Sequence, residues 1–183
     1  RPSAREHCMQ SVAFEAKALA KTPDDPEIMA ALANRLGWNA VLELREKRPQ
    51  DALANREREA LLLARLLEKD PKNAEFATRR IWNEQGKAAA LEKLDRSKEA
   101  AAFARQSIAG VEALIRLTGR TPKLVELLLK GEVALATSLK NAGDSNWQAA
   151  LGSARATLVE FGKTDRAGPS VERYASLISS LEE

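Results

Sequence analysis

Few side chains in this 183-residue chain could carry out chemistry. His7 is its one histidine and Cys8 its one cysteine. A nucleophilic triad would need His7 as its base, with partners converging on it from elsewhere. No Gly-rich Walker loop, His-Glu-x-x-His or Cys-x-x-Cys is present. A metal centre takes three or four ligands at suitable spacing, and the sequence shows no such cluster. His7-Cys8 therefore reads as a partly exposed histidine beside a small buried thiol. No catalytic residue is assigned, no cofactor or metal is expected, and the chain is not expected to be an enzyme. What remains is recognition chemistry, carried by indoles and charges. Trp82 and Trp147 are expected to fill packing sites, where an aromatic contributes a large buried area. Trp38 reads either as a groove residue or as packing between helices. Arg56, Arg58 and Arg65 with Glu57, Glu59 and Glu68 read as a solvated mixed-charge face. Pairs on such a face contribute only about 0.2–0.5 kcal/mol each.

The elements that must position these residues are helices. Lys17-Ala18-Leu19-Ala20-Lys21-Thr22-Pro23-Asp24-Asp25-Pro26-Glu27 returns as Arg65-Leu66-Leu67-Glu68-Lys69-Asp70-Pro71-Lys72-Asn73-Ala74-Glu75, a shift of 48 residues. A third junction, Thr118-Gly119-Arg120-Thr121-Pro122, follows 51 residues later. A recurrence of this length implies stacked helical repeats. Helices are predicted over about 3–21, 26–47, 50–69, 72–94, 96–118, 122–142, 145–162 and 169–182. Leucines at 63, 66 and 67, and at 124, 127, 128, 135 and 139, keep the helical period. Asp25-Pro26, Asp70-Pro71 and Thr121-Pro122 read as N-caps followed by a proline in the first turn. Gly119 and Gly143 suit the left-handed residue beyond a helix end. Short loops make consecutive helices antiparallel, and no linker is long enough to divide the chain.

Composition narrows the partners. Twenty-nine basic residues face 26 acidic ones, a net charge of +3. That is too small and too interleaved to argue for nucleic acid. No apolar run approaches the ~20 residues of a membrane span. A single cysteine excludes an intrachain disulfide. The start at Arg1-Pro2, without a signal peptide, suggests a piece of a longer protein.

The helix pairs resemble tetratricopeptide (TPR) repeats of a lengthened type. Trp82-Asn83-Glu84-Gln85-Gly86-Lys87-Ala88-Ala89 and Leu36-Gly37 are similar to the family's first helix. Ala52, Ala60 and Ala64, Ala100 and Ala104, and Ala154 match the small close-packing sites of its second helix. The resemblance implies an all-α fold of stacked antiparallel helix pairs forming a right-handed α-solenoid. Within one domain over 1–183 it implies an orphan second helix at 1–21. Helix pairs at 22–69, 70–119 and 120–162 and a capping helix at 168–183 would follow. Ala64 and Ala104 would lie buried at helix crossings. Similar long-period repeats are carried C-terminally by bacterial multidomain signalling proteins.

In such arrays the first helix of each pair lines a concave groove. With Gly37 and Gly86 in register, the groove residues would be Asn34, Trp38, Arg80, Asn83 and Lys87. Asparagine can hold a peptide backbone, and arginine or lysine a carboxylate. The matching third-pair positions, Val125, Leu128 and Glu132, break that pattern. The resemblance thus implies a non-catalytic protein-interaction module of a larger signalling protein, gripping an acidic protein or peptide segment and no small-molecule substrate. A cytoplasmic location is expected, or a periplasmic one if the parent protein is anchored upstream. The competing readings are a helical-repeat adaptor for nucleic acid and a helical-repeat regulatory enzyme fragment.

Overall fold

The computed structural model describes residues 4–164 and 168–183. The predicted helix start at residue 3 and the Arg1-Pro2 terminus lie outside the described residues. Eight helices follow in order: α1 (Ala4–Lys21), α2 (Pro26–Arg45), α3 (Pro49–Lys69), α4 (Ala74–Glu92), α5 (Ser97–Thr118), α6 (Pro122–Asn141), α7 (Trp147–Phe161) and α8 (Gly168–Ser180). The described residues contain no strand.

Local chemistry sets the boundaries. Asp25 caps α2, its Oδ1 accepting from the backbone N–H of Glu27 at 2.9 Å and of Ile28 at 3.2 Å. Thr121 caps α6 by accepting from Leu124 N–H at 3.3 Å. The middle junction differs from the Asp70-Pro71 expectation. There Asn73 is the cap, accepting from Phe76 N–H at 3.0 Å, and α4 starts at Ala74. Asp70 instead ends α3 and accepts a bond from the Asn73 side chain at 3.0 Å. Gly119 and Gly143 take the positive φ expected of them, 87° and 70°. The turns after α2 and α4 are made by Lys47 and Asp95 at φ 59° and 58°. Each of these turns, like that at Gly143, is closed by the following N–H reaching back five residues: Arg48 to Glu43, Arg96 to Leu91, and Asp144 to Leu139.

Each helix packs against the next in the chain. The even helices also touch one another, α2 with α4, α4 with α6 and α6 with α8. Arg79 near the start of α4 donates to Ala30 O near the start of α2, at 3.2 Å. Asn141 at the end of α6 donates to Glu92 at the end of α4, at 2.8 Å. Even helices therefore run parallel to each other, and neighbours in sequence run antiparallel. The apolar interior is a succession of layers. Met29, Leu36, Leu63 and Leu66 form one, Ile81, Val111 and Leu128 another, and Leu129, Leu151, Phe161 and Tyr174 a third.

Ala104 is fully buried, as expected of a crossing site. Ala64 is exposed, contrary to expectation, because Leu63 and Leu66 take the inward face of α3. Ala104→Leu should therefore overpack the interior and cost about 1–3 kcal/mol. Ala64→Leu should stay within about 0.5 kcal/mol of wild type. Urea titrations followed by circular dichroism check both, and equal stabilities for the two variants would contradict the assignment.

Candidate functional site

The polar centre of the stack starts with two residues one turn apart on α3. Arg56 and Glu59 are both buried, and Arg56 Nη1 donates to Glu59 Oε2 at 2.7 Å. Asn83 of α4, 1% exposed, donates from Nδ2 to the same Oε2 and to the Arg56 carbonyl, each at 2.7 Å. Two glycines make room for this network. A Cβ on Gly37 would lie 2.7 Å from Glu59 Oε1, and one on Gly86 would lie 2.7 Å from Arg56 Cζ. The glycines of α2 and α4 thus flank a buried charge pair carried by the helix behind them.

Above the pair, α2 and α4 part to leave a channel of about 460 Å³. Asn34, Trp38, Val41 and Leu44 line it from α2, and Arg79, Trp82, Gln85 and Ala89 from α4. Arg56 and Glu59 form its floor behind the glycines, and Lys130 of α6 reaches its border. Trp38 is 60% exposed and Trp82 is 42% exposed, both large for an indole. Lys123 Nζ lies 5.2 Å from the centre of the Trp82 ring, a cation–π contact. Gln85 is buried. Its Nε2 donates to Leu127 O at 2.9 Å, and its Oε1 has no hydrogen-bond partner. Arg56 Nε is likewise buried without a partner. Lys130 is exposed as a residue, yet the protein packed around its ammonium, and then the Arg56 charge, hold its pKa below the ordinary lysine value.

Of the residues predicted to share a groove, the structure brings Asn34 and Trp38 to this channel. Arg80 is exposed, with Nε 3.8 Å from Glu84 on its own helix. Asn83 is interior, holding Glu59. Lys87 is half-buried, its Nζ 4.9 Å from the centre of the Phe103 ring, and burial lowers its pKa. The reason is register. Matching Gly37 to Gly86 sets a shift of 49 residues, one more than the 48-residue period; at 48, Asn34, Gly37, Trp38 and Val41 fall on Trp82, Gln85, Gly86 and Ala89, and all eight line the channel. Trp82, Gln85 and Ala89 replace Arg80, Asn83 and Lys87 on the α4 side. In the third pair, Val125 and Leu128 are buried, and burial raises the pKa of Glu132. Trp147 packs against the last core layer, as a structural indole would. Trp82 does not, and Arg56 and Glu59 leave the solvated face assigned to them.

Among the described residues no group of three or more histidine, cysteine or acidic side chains could hold a metal, and no helix is long and apolar enough to cross a membrane. Comparison with protein-family models, curated proteins and solved structures finds no match for this chain.

Proposed function

We propose that this chain is a non-catalytic protein-interaction module, a TPR-like right-handed helical stack serving as a scaffold or sensor arm of a larger, bacterial-type signalling protein in the cytoplasm. Its occupant is an extended or helical protein segment laid along the even-helix edge, where the charge favours an acidic one. One observation carries this reading. Two exposed indoles on neighbouring helices, Trp38 and Trp82, open onto one channel instead of being buried as core. Aromatic anchors beside a few directed polar groups are how small interfaces concentrate their energy. Three cations, Arg56, Arg79 and Lys130, line the channel; Glu59 is paired with Arg56 and Glu75 with Arg79, so the balance is one positive charge. That imbalance speeds association with an acidic partner at low salt.

The test is a partner isolated with the wild-type chain and then titrated against wild type and Trp38→Ala/Trp82→Ala. Each indole should be worth about 2 kcal/mol at the interface, so each truncation should weaken binding about thirtyfold. Trp38→Ala should scarcely move the melting curve, because that side chain is 60% exposed, while Trp82→Ala, at a side chain more than half buried, should lower it modestly. Equal affinities would place the binding face elsewhere.

A further inference from the structure

Arg56 has more donors than the fold uses. A guanidinium carries five N–H groups, and one hydrogen bond from its side chain is formed here, to Glu59. Its side chain is 8% exposed, and it lines the channel floor. A buried guanidinium with idle N–H groups is costly unless something completes its bonding. Nε, which has no partner, and Nη2 lie against Gly86, and Nη1, which bonds Glu59, lies near Gly37; with no Cβ on either glycine, the guanidinium borders the channel between them. Arg79 and Lys130 line the same space; Arg79 is paired with Glu75, and the one lining carboxylate is already committed to Arg56 and Asn83. The walls above are the two indoles and the aliphatic carbons of Val41, Leu44 and Ala89, with Asn34, Arg79 and Gln85 as polar groups among them. The volume, about 460 Å³, is that of a small-molecule site.

We infer that the channel binds a small organic acid, its carboxylate held by Arg56 on the floor and Lys130 at the border and its ring-sized apolar body between Trp38 and Trp82. This rests on the reading of the channel as a binding site, and the acid competes there with the side chains of the protein segment. A planar carboxylate matches a guanidinium edge better than a spherical anion does. The apolar body removes the two indoles from water on binding. An amide of the same shape keeps the apolar part and loses the charge.

The probes are phenylacetate and phenylacetamide, added to the whole chain and followed by tryptophan fluorescence and calorimetry. Phenylacetate should shift the emission of Trp38 and Trp82, and phenylacetamide should bind at least about tenfold more weakly. Lys130→Met, at an exposed position, should weaken phenylacetate about fivefold or more and leave the amide unchanged. Arg56→Met/Glu59→Leu, which removes both charges together, should abolish the preference for the acid. Equal binding of acid and amide, or an acid affinity untouched by both variants, would overturn the inference. So would the absence of any phenylacetate binding up to its solubility limit. Loss of acid binding with the Trp38 and Trp82 dependence of partner capture intact would sink this inference alone. Acid binding with capture indifferent to those indoles would sink the protein-segment reading alone.

Discussion

Replacing Glu59 with leucine should lower the unfolding free energy by about 3–5 kcal/mol, the range for leaving one member of a buried ion pair alone. The carboxylate accepts from Arg56 and Asn83 at 2.7 Å each, inside an interior formed by α2, α3 and α4. Without it, Arg56 keeps a full charge that only the channel can hydrate. Adding Arg56→Met should recover most of the loss, because two apolar side chains can fill the space between Gly37 and Gly86 with no charge to desolvate. The measurement is a urea titration read by circular dichroism and by tryptophan emission. Should the single and double variants prove equally unstable, the shape of the glycine-lined space, and not the charge, would be what the fold requires there.

Phe161→Ala should have an effect of similar size in a different place. Phe161 ends α7, is fully buried, and meets Tyr174 of α8 edge-on with ring centres 6.4 Å apart. Removing a buried phenylalanine costs about 3–5 kcal/mol. Within the described residues α8 packs on α7 and α6, so the loss should be local. Amide exchange over residues 168–180 should rise towards that of unfolded chain, while α2 to α4 keep their protection. A uniform loss of protection from α2 to α8 would show that the stack opens as one unit.

Most helix boundaries were legible because their chemistry is local. Asp25-Pro26 and Thr121-Pro122 declare a cap and a first turn within two residues, and the structure uses both as such. Asp70-Pro71 carries the same signal but yields to Asn73, since either side chain can accept a free N–H and the turn geometry chose the later one. The left-handed turns at Lys47, Asp95 and Gly143 recur at intervals of 48 residues, yet only the last contains glycine. A lysine and an aspartate tolerate the conformation because the reach-back hydrogen bond outweighs its strain. The channel was half legible. Asn34 and Trp38 followed from the first-helix reading, but Trp82 and Gln85 were lost by matching Gly37 to Gly86, one residue off the 48-residue period that places Asn34 on Trp82 and Gly37 on Gln85. Arg56 and Glu59 had a signal that composition hides. They occupy the four-and-three spacing that runs through Ala52, Leu63 and Leu66, all buried. Charges set inside an apolar stripe point to a buried pair, not to a solvated face.

Within the described residues, no helix packs against one more than two places away in the chain. The most distant side-chain bonds join residues 49 apart, Arg79 to Ala30 and Asn141 to Glu92. Loop closure is therefore cheap at every step, and topology of this kind gives folding in microseconds to milliseconds. A chain leaving the ribosome can complete each layer as soon as the next helix emerges, without waiting for its C-terminus. Synthesis, at about 5–20 residues per second, would set the pace of assembly.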